Sequence, residues 1–152
     1  MKPFFGRRYS PDERDHGFLL HRRLGPVGAP LPTKKTWAIR AKALNQGSTG
    51  TCVGHAWANF LRAAPIQTNK DIDKLRFEIY DQATQLDQWT DNDHDTDRQM
   101  GTSVRAAAQV VTNMGRLKSY LWAFSLQPAL EWVLTQGPVV LGTNWYSSFF
   151  TP

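Results

Sequence analysis

A glycine-rich turn that runs directly into an apolar helical segment is the feature of this sequence that most limits its fold. The turn spans residues 45–51, and the next residue is Cys52, the only cysteine of the chain. From Cys52 to Ala64 only Gly54 disfavours a helix, and apolar side chains recur at helical spacing until Pro65 ends the segment. The sequence therefore predicts a buried helix that begins at a cysteine.

The single cysteine also decides how the domain is held together. A chain of 152 residues fits one domain, which can bury roughly 68–70% of its unfolded surface without a covalent staple. One cysteine cannot form an internal disulfide, and the sequence has neither a secretory leader nor a run of ~18 apolar residues. We therefore expect a cytoplasmic protein that does not enter a membrane.

The net charge of +5 is concentrated at the N-terminus. Residues 1–42 contain ten Lys or Arg and three acidic residues, whereas residues 43–152 contain eight and ten. Residues 1–29 are also rich in Pro and Gly, which predicts a basic N-terminal arm ahead of a domain over residues 30–152. Charge runs are usually solvated, and no aromatic ladder accompanies these basic pairs, so nucleic acid is not an expected partner.

Periodicity and capping residues predict three further helices. Thr102 or Ser103 is expected to cap one of them, and Gly115 is expected to end it. The predicted helices span residues 71–86, 103–113 and 126–135.

Two segments carry the signals of β-strands. Residues 137–143 form a β-branched run between turn residues, which predicts a buried strand, and residues 37–40 predict a short one. The order of arm, helices and strand indicates an α+β fold.

Cys52 has two interpretations, a small buried hydrophobic residue or a nucleophile. A thiolate is the attacking species, and the unpaired N–H groups at a helix N-terminus favour it by lowering the thiol pKa. Gly47 and Gly50 allow the preceding backbone to turn tightly and to approach a substrate. The N–H of Cys52 and the side-chain amide of Gln46 are candidate donors to an oxyanion. The second interpretation predicts acyl-transfer chemistry with Cys52 and Gln46 as catalytic residues.

The active-site segment of papain-family cysteine peptidases resembles this turn at five positions: Gln46, Gly47, Ser48, Gly50 and Cys52. In that family the glutamine supplies an oxyanion donor and the cysteine is the nucleophile. The resemblance implies a papain-like two-lobe fold of the bacterial or phage type. It places the helical lobe at about residues 44–118 and the start of the β-barrel lobe at residues 119–152.

Weaker matches to the family follow in the family's order, at residues 11–15, 100–105, 113–115 and 136–140. The resemblance implies that Gly50 and Gly101 line the substrate cleft, although a glycine at position 101 also suits a helix start. Two positions depart from the family pattern. Thr49 stands where many secreted members have a disulfide cysteine, and Val53 stands where an aromatic residue usually follows the nucleophile.

The general base is the part of the catalytic apparatus that the matched residues do not supply. In the resembling family the histidine and its asparagine partner lie on the β lobe, so we expect them beyond residue 152 or on another chain. His55 follows Cys52 by three residues on the predicted helix, at ~5–6 Å between Cβ atoms. In the resembling family the equivalent position packs inside the helical lobe, and His has an intermediate tendency to be buried. A buried, hydrogen-bonded structural histidine is therefore favoured over a role as base.

The remaining acidic residues do not form a metal motif. Asp91, Asp93, Asp95 and Asp97 alternate. However, a calcium loop that began at Asp91 would need a glycine at its sixth position and a glutamate at its twelfth, where this chain has Thr96 and Thr102. We predict a solvated acidic loop, no metal and no cofactor.

The sequence therefore leads to two functional hypotheses. The first is a papain-like cysteine peptidase that acts on a peptide or protein substrate. The second is a catalytically incomplete papain-like scaffold that serves as a binding or structural component of a larger assembly, such as a virus particle, with the basic arm as its docking element. In either case, we expect the aromatic segment from Trp145 to Phe150 to be covered by a β lobe or by a protein partner.

Overall fold

The computed structural model describes residues 10–22, 24, 30–39, 44–69, 71–89, 95–144 and 146. Two short 3-10 helices come first, Glu13–Phe18 and Leu20–Arg22. Four α-helices follow: α1, Cys52–Arg62; α2, Ile72–Leu86; α3, Val104–Asn113; and α4, Leu126–Thr135. Each predicted helix is confirmed, with ends that agree to within two residues.

Local capping explains where α2 and α3 begin. The Asp71 carboxylate accepts hydrogen bonds from the N–H groups of Asp73 and Lys74, at 3.0 and 3.2 Å. The Ser103 hydroxyl accepts from the N–H of Ala106 at 3.0 Å, so Ser103 rather than Thr102 caps α3. At the other end of α3, Gly115 has φ 69°, the left-handed conformation that terminates a helix at low cost for glycine.

The core lies between α1, α2 and α3, which pack on one another. Apolar residues of one face of each helix are buried there. The buried residues of this core are Val53, Trp57 and Leu61 of α1; Leu75, Ile79 and Ala83 of α2; and Ala106, Ala107, Ala108, Val110 and Val111 of α3.

The helices α1 and α2 approach each other closely at Gly54. A methyl group added there would lie 2.2 Å from the carbonyl oxygen of Arg76 and 3.0 Å from the Cβ of Tyr80. A glycine in the middle of a helix costs about 1 kcal/mol relative to alanine. Here it lets the two helix backbones come together.

The helix α4 is different, since none of its residues is buried. Leu126 is 72% exposed and Leu130 is 43% exposed. A hydrogen bond of 2.7 Å from the indole N–H of Trp37 to the carbonyl oxygen of Val133 ties the helix to the segment before α1.

The described part of the basic arm packs against the domain. Asp15 is buried and forms an ion pair with Arg105 of α3. The N–H of Leu20 donates to the carbonyl oxygen of Trp122 at 2.9 Å, and the N–H of Trp122 donates to that of Phe18 at 2.7 Å. The arm thereby connects α3 to the segment before α4. The proposed boundary at residue 29 stays a prediction.

The two predicted strands are corrected by the structure. Residues 137–143 are described and form no strand, and in residues 37–39 only Ile39 pairs, in an isolated antiparallel bridge with Ala63. A strand is stabilised by a neighbour, and the described part of the chain contains no sheet to supply one. The helical lobe of the α+β prediction is therefore present, whereas its β part is not formed in these residues.

Two further expectations concern the surroundings of the fold. Residues Trp145, Phe149 and Phe150, for which we predicted a cover, lie outside the described residues. Within the described ranges, no helix combines the length and the apolar character that crossing a bilayer requires.

Candidate functional site

Cys52 is the first residue of α1, as the sequence predicts, and its side chain reaches the surface. The preceding residue, Thr51, is buried and makes no side-chain cap, so the first N–H groups of the helix remain available to an anion. Although Cys52 is exposed, the surrounding protein desolvates the sulfur, and this burial raises the pKa of the thiol. The N–H groups of Val53 and Cys52 lower that pKa, but by less. The net direction is opposite to the one expected from the helix N-terminus alone.

Gln46 lies in the turn that leads to Cys52, and its side chain folds back onto the turn. Its side-chain amide donates to the carbonyl oxygen of Thr49 at 2.9 Å, while the Thr49 hydroxyl donates to the carbonyl oxygen of Gln46 at 2.8 Å. An amide NH₂ group has two hydrogens, so one bond to Thr49 does not use its full donor capacity. The role of Gln46 as an oxyanion donor stays a prediction.

The two glycines assigned to the substrate cleft lie together, although they are far apart in sequence. The N–H of Gly50 donates to the carbonyl oxygen of Arg98 at 2.7 Å, and a methyl group added at Gly50 would lie 2.6 Å from the carbonyl oxygen of Gln99. A Cβ at Gly101 would lie 4.0 Å from the carbonyl oxygen of Gly50. With φ 83°, Gly101 also has a conformation that other residues rarely adopt. Gly50 and Gly101 therefore adjoin each other beside the N-terminus of α1.

Tyr80 of α2 holds the second of these loops in place. Its hydroxyl donates to the Asp95 carboxylate and accepts from the N–H of Gly101 at 2.9 Å. The same carboxylate accepts from the N–H groups of Gln99 and Met100, at 2.8 and 3.1 Å. Burial, followed by the facing Asp95, raises the pKa of Tyr80, and the nearby Cys52 acts in the same direction.

The sequence predicts a solvated acidic loop. The structure differs from this prediction at Asp95, whose carboxylate is bonded to the protein. Asp95 organises the residues that precede α3, because buried or turn-forming backbone N–H groups need acceptors. Asp91, Asp93 and His94 lie outside the described residues. Where the structure describes the chain, no cluster of three His, Cys, Asp or Glu residues could hold a metal ion.

His55 is buried on α1 and both of its ring nitrogens are engaged. Nδ1 lies 2.9 Å from the carbonyl oxygen of Thr51, and Nε2 lies 2.9 Å from Nη1 of Arg76. A guanidinium can only donate, so Nε2 must accept and Nδ1 must carry the hydrogen. Burial lowers the pKa of His55, and the adjacent Arg76 lowers it further. These contacts agree with the interpretation of His55 as a structural residue in its neutral form.

Two of the other histidines lie in the arm. His16 is exposed and stacks on Phe124 with ring centroids 4.5 Å apart, and His21 is also exposed. Both belong to the segment that packs near α3 and α4.

Three residues near the site were not singled out as functional from the sequence: Arg76, Tyr80 and Asp95. A tyrosine beside the apolar stripe of α2 was a usable signal, because a buried hydroxyl usually requires a partner. No local pattern indicates that this partner is an aspartate in the loop before α3.

Comparison of the chain with models of known protein families, with curated proteins and with solved structures finds no match.

Proposed function

We propose that this chain carries the nucleophile side of a papain-like cysteine peptidase. In this proposal the thiolate of Cys52 attacks a peptide carbonyl, and the N–H of Cys52 and the amide of Gln46 donate to the oxyanion. Gly50 and Gly101 form the wall along which an extended peptide lies.

The supporting observation is the meeting of Gly50 and Gly101 beside the first residue of α1. The two glycines are about fifty positions apart in the chain, so no local pattern brings them together. Small residues on both loops leave backbone close to the surface, which suits main-chain recognition of a peptide.

The general base is proposed to come from beyond residue 152 or from another chain. His55 is buried, and its two nitrogens are occupied by Thr51 and Arg76. A base is also needed to offset the burial that raises the pKa of the Cys52 thiol, because the thiolate is the reactive form.

A peptidyl epoxide that alkylates cysteine peptidases tests this proposal in the longest form of the protein that the reading frame encodes. We expect rapid labelling of Cys52 between pH 5 and 8, and much slower labelling by an epoxide that lacks the peptide. Replacement of Cys52 by alanine should abolish both labelling and peptide cleavage. Cleavage that survives this replacement would reject Cys52 as the nucleophile.

A second variant isolates the oxyanion donor. Gln46→Ala should reduce kcat for peptide cleavage by about 10²–10³-fold, the usual cost of removing one such donor. Asn45→Ala serves as the matched control, since its side chain caps only the neighbouring N–H of Gly47. Equal losses in the two variants would assign Gln46 a structural role in the turn.

The non-catalytic scaffold is a second candidate, and the thiol of this chain favours it. The pKa of Cys52 is raised rather than lowered, as in a cysteine that does not act as a nucleophile. In this case Cys52→Ala should leave partner binding unchanged in a pull-down from a host lysate.

The role of the arm in binding needs a deletion that spares the packed segment. Removal of residues 1–9 takes away Arg7 and Arg8 but keeps Asp15 and its bond to Arg105. The scaffold hypothesis predicts that this deletion weakens partner capture while the free energy of unfolding stays the same. Unchanged capture would exclude these residues as the docking element.

A further inference from the structure

A single guanidinium, that of Arg76, joins α2 to the turn before Cys52. Its Nη1 donates to the carbonyl oxygen of Asn45 and to Nε2 of His55, both at 2.9 Å. Its Nη2 pairs with the Asp73 carboxylate at 3.0 Å, which fixes the group on its own helix. The two hydrogens of Nη1 thus bind one end of the turn and the histidine.

His55 completes the connection to the other end of the turn. Its Nδ1 lies 2.9 Å from the carbonyl oxygen of Thr51, the residue before Cys52. Asn45 and Thr51 enclose the segment that contains Gln46 and Gly50. One chain of hydrogen bonds, from Asn45 through Arg76 and His55 to Thr51, therefore spans both ends of the turn.

We propose that His55 and Arg76 are positioning residues that hold the turn of residues 45–51, and that protonation of His55 breaks the link between the two ends of this turn and loosens it. The neutral ring accepts a hydrogen bond from Arg76 through the lone pair of Nε2. A proton at Nε2 removes that lone pair and places two cations in contact, so the bond from Arg76 is lost.

The charges around His55 determine the direction of the response. From α2 it faces Arg76 and, behind it, Asp73; from its own helix, Cys52 lies one turn away. Arg98, from the loop before α3, stacks on Phe77, whose ring makes an edge contact with His55. Burial lowers the pKa of His55 and Arg76 adds to that effect, whereas the backbone carbonyls of Thr51 and Asn45 and the Asp73 carboxylate oppose it in part.

The loss of stability with acid follows from this lowered pKa. An unfolded histidine titrates with a pKa of about 6.5. As the pH falls below that value, the unfolded chain binds the proton first, and the stabilisation of the turn decreases until His55 is protonated in the folded protein. The hydrogen bonds that hold the turn do not depend on the proposed peptidase activity. Any effect of the turn on peptide cleavage by Cys52 does rest on that proposed function.

An NMR titration of the ¹⁵N-labelled chain from pH 7.5 to 4.5 tests the proposal without any activity assay. We expect His55 to carry a proton only on Nδ1 at pH 7.5 and to gain the second one below pH 6.5. The amide signals of residues 46–51 should shift with the same midpoint. The protection factor of the Gly50 N–H should fall about tenfold, as for the loss of a hydrogen bond to a charged group. The N–H of Ala107 in α3 is the internal reference.

Matched variants separate this effect from general acid sensitivity. His55→Gln retains an acceptor near Nε2 but cannot gain a charge, so the signals of residues 46–51 should become independent of pH. Arg76→Gln should raise the midpoint of His55 and weaken the protection of Gly50 at all pH values. Arg98→Gln is the control, since Arg98 stacks on Phe77 at 4.7 Å, as Arg76 does at 4.6 Å, but pairs with Asp81.

Three results would overturn the proposal. In the first, His55 titrates while residues 46–51 do not respond. In the second, His55→Gln keeps the same pH response of the turn. In the third, His55 remains neutral throughout the range. The wild-type titration alone decides the first and third results if the variants fail to fold. Loss of peptide cleavage with an intact pH response would instead count against the proposed function.

Discussion

The first three α-helices and the described residues from 119 to 146 differ in how far their apolar side chains are buried. In α1, α2 and α3 the apolar faces meet, and residues such as Leu61 and Ile79 are completely buried. In the later segment α4 has no buried residue, and several large apolar side chains are exposed: Phe124, Leu126, Leu130, Leu141 and Tyr146. A helix gains most of its stability in a protein from packing, and within the described residues α4 has less of this stabilisation than α1, α2 and α3.

The buried apolar residues of α1, α2 and α3 form one contiguous cluster, which we call the finished core. The region around α4 has no such cluster of buried residues among the described residues. Around α4 the described residues leave large apolar side chains at the surface.

The same truncation should have very different costs in the two regions. Leu61→Ala removes a side chain with no exposure and should lower the free energy of unfolding by about 4 kcal/mol, since it leaves a cavity. Leu126→Ala should change it by less than about 0.5 kcal/mol. Urea denaturation of both variants measures the difference. A large cost for Leu126→Ala would mean that α4 is covered in solution, and the contrast would disappear.

The close contact of α1 and α2 at Gly54 offers a second test of the finished core. Gly54→Ala should cost about 3 kcal/mol, because the added methyl group meets the backbone of Arg76 and the helices must move apart. Gly17→Ala is the control, as no heavy atom lies within 4 Å of the new methyl group. Thermal unfolding followed by circular dichroism compares them. A neutral Gly54→Ala would show that these helices are loosely packed.

The ion pair of Asp15 with Arg105 tests whether the arm contributes to the core. Asp15→Asn should cost about 2 kcal/mol, because it leaves the buried Arg105 with only the more distant Asp12, at 3.6 Å. Burial raises the pKa of Asp15 while Arg105 opposes that rise, so the ionised carboxylate depends on its partner. Glu13→Gln, at an exposed neighbouring position, should have no measurable effect on urea denaturation. If the two variants changed the free energy of unfolding equally, the Asp15–Arg105 pair would contribute no more than an exposed surface residue does.

The smallest effect concerns the thiol at the edge of the finished core. Because burial raises the pKa of Cys52, its alkylation by iodoacetamide should be slower at pH 8 than that of N-acetylcysteine amide, and its rate should reach half its maximum at a higher pH. Mass spectrometry over time gives both rates. If the proposed peptidase function is right, a longer form that supplies the base should react faster than N-acetylcysteine amide. A rate already faster in this chain would show that the thiol is activated without such a base.

The helices could be predicted from the sequence because their signals are local. The Asp71 cap, the left-handed Gly115 and the spacing of apolar residues each depend on only a few neighbouring positions. The choice between Thr102 and Ser103 as the cap of α3 was not local. Thr102 donates its hydroxyl hydrogen to Asp87, which leaves the capping position to Ser103.

The position of the candidate site residues in the fold was predictable in part, whereas the pKa of the thiol was not. The resemblance identified Gln46, Gly50, Cys52 and Gly101, and the structure brings the two glycines together beside Cys52. The pKa of the thiol depends on how much protein surrounds the sulfur, which a sequence motif does not encode. The strand at residues 137–143 failed for a related reason, since a strand depends on a partner elsewhere in the chain.

The pairing of Asp15 with Arg105 has a consequence for the order of events on the ribosome. The two residues are 90 positions apart, so Asp15 is made about 5–20 s before its partner at ordinary rates of synthesis. During that interval the arm has no third helix to dock on. The first two helices, joined by a short connection, are then the earliest pair able to bury apolar surface, and the oldest part of the nascent chain is among the last to find its place.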